Sequence, residues 1–207
     1  MDAQSWNERY RDARSADPDA GLWAIQPHAQ LQQIAGQLIP GTALDLASGD
    51  GRNAIWLASR GWQATAVDFS AKGLDIARSR AEADGLSIDW QLADATDWDP
   101  GRTFDLITIT YLHLDETANT AVIRRASQWL SPGGTLLVIG HDKENLSRGT
   151  GGPQDETILY SPEMLHAATT LKVLAVEQLV RNTSTDPEGP QDTGTTAIDT
   201  LLHAVNA

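Results

Sequence analysis

The chain has no cysteine among its 207 residues, which excludes a disulfide framework and a thiolate metal site. It is also short of positive charge: 15 Lys and Arg against 28 Asp and Glu give a net charge of −13, which disfavours binding to nucleic acid or an anionic membrane. No apolar run approaches the roughly 18 residues of a membrane span. The first residues carry no basic, apolar signal segment. We therefore expect a cytoplasmic protein with no membrane or nucleic-acid partner, and its oligomeric state has no signature in the sequence.

Strands and helices alternate along most of the chain, which is typical of an α/β fold. Short apolar runs predict strands at 42–46, 63–67, 87–92, 104–110 and 135–140. Helical patterns separate them, and a capping box from Ser5 to Glu8 predicts an N-terminal helix over 6–14. Two β-compatible runs at 171–181 and 195–205 follow, joined by a polar turn at 182–194. The length fits one domain over 1–207, with 1–25 as an N-terminal lid or packing segment.

The most informative segment is 43–70, where a glycine turn joins a buried strand to a helix. Ser48-Gly49-Asp50-Gly51 forms the turn, and Asp68 closes the strand that follows the helix. A βαβ unit with a glycine turn at its first junction is a nucleotide-binding arrangement. Gly49 and Gly51 should need either positive φ or clearance for a ligand.

Two kinds of cofactor, a dinucleotide and S-adenosylmethionine, are compatible with this turn. Gly49-x-Gly51-x-x-Ala54 with Asp68 matches the dinucleotide fingerprint, which indicates an NAD-dependent oxidoreductase. Asp50, however, lies between the glycines, where a carboxylate would repel a pyrophosphate. Acidic residues at several strand ends favour S-adenosylmethionine (SAM), which has hydroxyls, an amine and a sulfonium but no phosphate.

Several motifs resemble those of class I SAM-dependent methyltransferases. The segment from Asp45 to Gly51 resembles motif I, Asp-x-Gly-x-Gly-x-Gly, with Ala47 in place of the first glycine, and we expect Ala47 to keep a negative φ. Ala-Val-Asp68-Phe-Ser is similar to the second motif, whose acidic residue binds the ribose hydroxyls. Leu-Ala-Asp94-Ala resembles the third, whose Asp faces the adenine amino group. The runs at 104–110 and 130–139 resemble the fourth strand and the turn and strand after it. The resemblance is closest to the small tellurite-resistance or thiopurine type.

This resemblance implies a doubly wound, mostly parallel seven-stranded sheet with helices on both faces and a C-terminal antiparallel hairpin. It implies SAM as the cofactor. The residues implied to bind it are Asp45, Ala47, Ser48, Gly49, Gly51, Asn53, Asp68, Phe69, Asp94, Ala95 and Thr110.

The acceptor side is implied by the same resemblance, because residues at the end of the fourth strand approach the transferable methyl group. Tyr111 and His113 lie there, and His141 and Asp142 follow the fifth strand, so these four are candidate catalytic residues. The glycine-rich stretch 141–160 then leaves the same edge. The spacing of these residues matches no metal site, and we expect none.

Three further residues are candidates for a lid or for substrate contact: Trp6, Tyr10 and Arg148. Trp6 and Tyr10 share one helical face, which suits either packing or a lid over the cofactor.

The predicted function is methyl transfer from SAM to a small-molecule acceptor by in-line displacement. A general base is needed only if the acceptor carries a proton, as an alcohol or amine does. The alternatives are the NAD-dependent oxidoreductase and a non-catalytic SAM-binding protein.

Overall fold

The structure is a computed structural model that describes residues 2–16, 26–183 and 196–207. Residues 17–25 of the expected N-terminal segment and most of the polar turn at 182–194 lie outside the described residues. No helix in the described ranges is long and apolar enough to cross a membrane.

Seven strands form a mixed sheet in the order β3-β2-β1-β4-β5-β7-β6. The strands are β1 (Thr42–Leu46), β2 (Gln63–Asp68), β3 (Asp89–Leu92), β4 (Phe104–Thr110), β5 (Leu130–His141), β6 (Lys172–Asn182) and β7 (Thr196–Val205). The helices are α1 (Ala3–Ala16), α2 (Ala29–Ala35), α3 (Arg52–Ser59), α4 (Ala71–Ala83), α5 (Glu116–Gln128), α6 (Asn145–Arg148) and α7 (Pro162–Ala167), with a 3₁₀ turn at Glu156–Ile158. Strand β7 is antiparallel to both β5 and β6, and the β1–β2, β2–β3 and β4–β5 pairings are parallel. The predicted sheet with its C-terminal hairpin is confirmed.

The described chain forms two compact units, one up to Trp98 and one from Asp99 onward. In the first unit, β1 and β2 pair in parallel and are almost wholly buried, as expected of strands covered on both faces. Strand β3 is partly exposed because it is the edge strand. The core of this unit includes Leu44, Leu57, Val67 and Leu74.

Helix α1 begins earlier than the capping box at Ser5 predicts. The carboxylate of Asp2 accepts hydrogen bonds from the Ser5 backbone N–H at 2.9 Å and from the Ser5 hydroxyl at 2.7 Å, so Asp2 is the N-cap. The side chain of Asn7 then accepts from the Ser70 hydroxyl and the Lys72 N–H at the start of α4. These bonds fix α1 against α4.

The second unit contains the rest of the sheet and a closed loop over residues 142–160. The Tyr160 N–H donates to the His141 carbonyl and the Lys143 N–H to the Tyr160 carbonyl, both at 2.9 Å, so the loop begins and ends at the same place. The side chain of Asn145 donates to the Gly151 carbonyl and accepts from the Ile198 N–H of β7. The loop therefore has fixed contacts with the sheet as well as its own short helices.

Candidate functional site

The glycine turn after β1 contains three residues in the left-handed region. Gly49 has φ of 58° and Gly51 of 78°, and Ala47 has φ of 63°. The expectation of a negative φ for Ala47 is wrong: the turn imposes the conformation of the glycine that the motif usually has there. A non-glycine residue in this region costs about 1–2 kcal/mol. Such strain is characteristic of functional turns.

Asp68 holds the turn from the end of β2. One carboxylate oxygen accepts from the Gly49 N–H and the other from the Ser70 N–H, both at 2.8 Å. Burial raises the pKa of Asp68, opposed by these two N–H groups. A carboxylate oxygen has more than one acceptor position. Each oxygen can therefore still accept from a ribose hydroxyl, so Asp68 fits the ribose role.

Asp45 has a different environment on the neighbouring strand. Its side chain is fully buried, and one oxygen accepts from the Ala54 N–H in the first turn of α3 at 3.1 Å. Burial raises the pKa of Asp45 to about 7, although Asn53 and the Ala54 N–H oppose the shift. This geometry favours bracing of the helix over direct contact with a ligand.

Asp50 does not present its charge to the turn as the sequence suggested. It is buried, and its carboxylate pairs with the Arg80 guanidinium of α4 at 3.1 Å. Burial raises the pKa of Asp50, and the charges of Arg80 and Arg52 oppose that shift. The predicted repulsion of a pyrophosphate by Asp50 is therefore largely cancelled.

Packing of the protein itself requires a glycine at position 51. A Cβ at this position would lie 2.7 Å from the Ala77 Cβ and 3.0 Å from the Trp90 ring. The glycine lets α4 and β3 approach the turn closely.

The remaining expected cofactor residues follow the same strand ends. Asp94 is exposed, and one oxygen accepts from the Thr96 N–H at 2.8 Å and from the Thr96 hydroxyl at 2.7 Å, as in an Asx turn. All of the expected cofactor residues lie in the first unit except Thr110, which ends β4 in the second unit. Ser48, Asn53 and Ala95 are buried, and Phe69 is partly exposed.

Helix α1 brings an aromatic pair to the same region. Tyr10 is buried, and its ring centroid lies 6.0 Å from that of Trp6. A Cβ on Gly73 would lie 3.1 Å from the Tyr10 ring and 3.0 Å from the Gly49 carbonyl oxygen. Tyr10 therefore packs where α4 approaches the glycine turn, and the lid role stays a prediction.

The second unit gathers Tyr111, His113 and His141 into one aromatic cluster. The imidazoles of His113 and His141 are stacked with centroids 5.3 Å apart and an interplanar angle of 6°. The Tyr111 ring lies 4.9 Å from His141, and Tyr111 has a φ of 57°. Strain at a tyrosine that directly follows a strand is a further mark of a functional position.

Asp199 of β7 belongs to this cluster, and it was not among the site residues predicted from the sequence. It is fully buried, and its carboxylate accepts from the Tyr111 hydroxyl at 2.8 Å and the Arg181 Nε at 2.6 Å. Its other oxygen lies 3.0 Å from Nδ1 of His141, the residue opposite it in the sheet register. The only available signal was a single acidic residue within a largely apolar strand.

His113 is held differently from His141. Its Nδ1 lies 3.0 Å from the Ile158 carbonyl oxygen. A carbonyl only accepts, so Nδ1 carries the proton. Its Nε2 is buried with no hydrogen-bond partner in the described part of the chain. Burial and the neighbouring His141 lower the pKa of His113 to about 4, so the ring is neutral at pH 7.

Asp142 and Arg148 each contact other side chains or the backbone of the protein. Asp142 is buried and accepts from the Glu144 N–H at 2.7 Å, the Gln178 side chain at 3.0 Å and the Thr200 hydroxyl. Arg148 pairs with Glu144 on α6 and is mostly exposed. Within the described ranges, no group of three or more His, Cys, Asp or Glu could hold a metal ion.

Residues 43–134 match the family model described as a methyltransferase domain. Over this segment the chain is similar to methyltransferase domains, and its fold is that of the class I SAM-dependent methyltransferases. The match covers the glycine turn, the strand-end aspartates, Tyr111 and His113, and the sheet order is that of this class.

Relatives of the domain are found among small-molecule methyltransferases. A demethylmenaquinone methyltransferase of Thermus thermophilus is 34% identical over 109 residues, 51% of this chain and 50% of that protein. A ubiquinone biosynthesis O-methyltransferase of Xanthomonas axonopodis is 28% identical over 125 residues, 58% of this chain and 52% of that protein. The chain thus spans about half the length of these curated relatives. A more partial match is named ribosomal RNA small subunit methyltransferase C, from Alcanivorax borkumensis, 29% identical over 117 residues, 54% of this chain and 36% of that protein.

The solved structures agree on the fold. TehB from Haemophilus influenzae superposes with a TM-score of 0.71 at 15% identity, covering 96% of this chain and 67% of TehB. At this identity the likeness concerns the fold of the methyltransferase domain alone.

Proposed function

We propose that this protein transfers the methyl group of SAM to a small-molecule acceptor. The observation that carries the proposal is Asp68 at the end of β2, fixed by the Gly49 and Ser70 N–H groups beside a left-handed glycine turn. A carboxylate fixed in this way suits the two ribose hydroxyls. When bound, SAM supplies an electrophilic methyl group on a good leaving group, and the protein's task is to align the acceptor and exclude water.

The cluster of Tyr111, His113, His141 and Asp199 supports an enzyme over a non-catalytic binding protein. A buried network of two imidazoles, a phenol and a carboxylate has no evident use in binding SAM at Asp68. A cytoplasmic location and the lack of a nucleic-acid partner belong to the same proposal, supported by the net charge of −13.

Calorimetric titration with SAM, S-adenosylhomocysteine, NAD and NADP in parallel tests the proposal. We expect micromolar binding of the first two and negligible binding of the dinucleotides. Binding of NAD without SAM would promote the oxidoreductase alternative. Transfer of labelled methyl groups from SAM to ribosomal RNA would overturn the small-molecule acceptor.

A further inference from the structure

We propose that Nε2 of His141 takes a proton from an acceptor that carries an O–H or N–H group, and that Asp199 is the residue that positions His141 for this task. The inference rests on the proposed methyl transfer and names the chemical class of its acceptor.

The tautomer of His141 follows from its partner. Nδ1 lies 3.0 Å from the buried Asp199 carboxylate, which accepts, so Nδ1 carries the proton and Nε2 has a free lone pair. The other oxygen of Asp199 is held by Arg181 at 2.6 Å and by Tyr111 at 2.8 Å. Arg181 places a positive charge beside this carboxylate, and the three donors fix its orientation. Among the described residues, no hydrogen bond to Nε2 of His141 is present.

The charged and titratable groups around His141 come from two strands and the turn after β4. They are Asp199 of β7, Arg181 of β6, and Tyr111 and His113 after β4. Of these, Asp199 is the one in direct contact with a ring nitrogen. An imidazolium formed at His141 would thus sit against a fixed negative charge, as a proton acceptor requires.

His113 has the opposite environment although its ring is parallel to that of His141. Its Nδ1 partner is the neutral Ile158 carbonyl, and burial keeps the ring neutral. The two histidines therefore have different roles. Nε2 of His141 can take up a proton, whereas Nε2 of His113 can only accept a hydrogen bond at neutral pH. The buried, unpaired Nε2 of His113 calls for a donor. An O–H or N–H acceptor can supply one, whereas a thiolate or an oxyanion cannot.

The transfer balances without any further reactant. The acceptor heteroatom forms a bond to the methyl carbon while the carbon–sulfur bond breaks and its electron pair goes to sulfur. The acceptor's proton goes to Nε2 of His141 and is later released to water. The products are the methylated acceptor, S-adenosylhomocysteine and one proton.

The closed loop covers this proton acceptor. A Cβ on Gly152 would lie 2.7 Å from Cδ2, 2.9 Å from Cγ and 2.9 Å from Nε2 of the His141 ring. Such nearly equal distances mean that the Gly152 backbone packs on the face of the ring. Only glycine allows this approach, and its φ of 73° favours glycine as well. The loop thus keeps water from one face of the imidazole.

Nitrogen-15 and proton NMR of the histidine rings tests the assignment without any acceptor. In the whole protein at pH 8 we expect His141 protonated on Nδ1 and not on Nε2. Asp199→Asn should shift the tautomer balance of His141 toward a proton on Nε2, because the charged acceptor that holds the Nδ1 proton is lost. Tyr111→Phe, which removes a hydrogen bond but no charge, is the matched control and should shift it much less. If Asp199→Asn does not fold because Arg181 loses this ion pair, the double variant Asp199→Asn with Arg181→Gln removes both charges.

An unchanged tautomer balance of His141 in a folded Asp199 variant, or a proton on Nε2 of the wild-type protein at pH 8, would overturn the assignment. The acceptor class is tested separately by incubating the wild-type protein and labelled SAM with a small-molecule extract of the cells that make it. A product methylated on oxygen or nitrogen supports the inference, and one methylated on sulfur, selenium or tellurium contradicts it. Failure of SAM to bind in calorimetry would instead refute the proposed function itself.

Discussion

Three aspartates near the glycine turn share a residue type and little else. Asp45 is buried against the start of α3, Asp50 is paired with Arg80, and Asp68 bridges two backbone N–H groups. From sequence alone all three looked like one acidic rim. Their partners give them different roles: Asp45 holds the start of α3, the charge of Asp50 is neutralised by Arg80, and Asp68 is the candidate ligand for the ribose. The environment of a carboxylate, rather than its residue type, thus decides its role.

Asp68→Ala should weaken SAM binding at least tenfold and also destabilise the protein. The lost hydrogen bonds to a charged acceptor contribute about 1.5–3 kcal/mol each, and the variant loses the bonds to Gly49 and Ser70 as well as those to the ribose. Calorimetry and urea denaturation separate the two effects. Asp75→Ala on the exposed face of α4 is the control. A folded Asp68→Ala variant with unchanged SAM affinity would remove Asp68 from the ribose role.

Ala47→Gly should stabilise the protein by up to about 1 kcal/mol, because glycine adopts the φ of 63° without steric cost. Ala58→Gly within α3 has ordinary helical geometry and should instead cost about 0.5–1 kcal/mol. Thermal and urea unfolding of the two variants give the comparison. A loss of stability in Ala47→Gly would mean that the left-handed turn is not strained.

At the level of elements, Gly51→Ala should destabilise the protein by about 1–3 kcal/mol, since the added methyl overlaps Ala77 of α4. Gly85→Ala is a matched control, with φ of 66° against 78° and nothing within 4 Å of its Cβ. The difference between the two free energies of unfolding measures the overlap alone. Equal losses would show that backbone strain, and not packing against α4, explains the glycine.

The strands were largely predictable from sequence because each is a short apolar run bounded by a turn. Strand β1 has the predicted bounds, and β4 as well. Strand β5 begins earlier than predicted, because Gly133 and Gly134 read as a turn although they belong to a strand with an irregular register. The local pattern of apolar residues and glycines predicts which residues are buried and where turns occur. It does not predict an irregular register between two paired strands.

The sequence predicted those residues of the candidate site that directly follow a predicted strand. Tyr111 and His113 are neighbours after β4, and His141 follows β5. Asp199 reaches His141 through an antiparallel pairing with a strand 58 residues further along the chain, so no local spacing links them. The ion pair of Asp50 and the φ of Ala47 could not be predicted from the sequence either, because both depend on how α4 and the glycine turn pack.

For the molecule as a whole, the low pKa of His113 makes stability depend on pH. The folded state holds His113 neutral down to about pH 4, whereas the unfolded chain protonates it near 6.5. The unfolded state therefore binds more protons within this window, and the free energy of unfolding should fall as the pH is lowered from 6.5 to 4.

His113→Gln should flatten this fall, because glutamine can still donate to the Ile158 carbonyl but does not titrate. Urea denaturation at pH 7.5, 5.5 and 4.5 gives the measurement, with exposed His166→Gln as the control. Asp45 acts in the opposite direction, since its pKa is raised to about 7, but its effect is common to every variant and cancels in the difference. Identical pH slopes for His113→Gln and wild type would contradict the buried, neutral ring.

The closed loop at 142–160 has an evolutionary consequence. Its two ends are hydrogen-bonded to each other, so a segment of another length or composition could replace its tip while the sheet beneath keeps its register. A lineage could thus exchange the surface over His141 as one unit and leave the glycine turn after β1 unaltered. Acceptor preference and cofactor binding would then evolve at separate rates within one short chain.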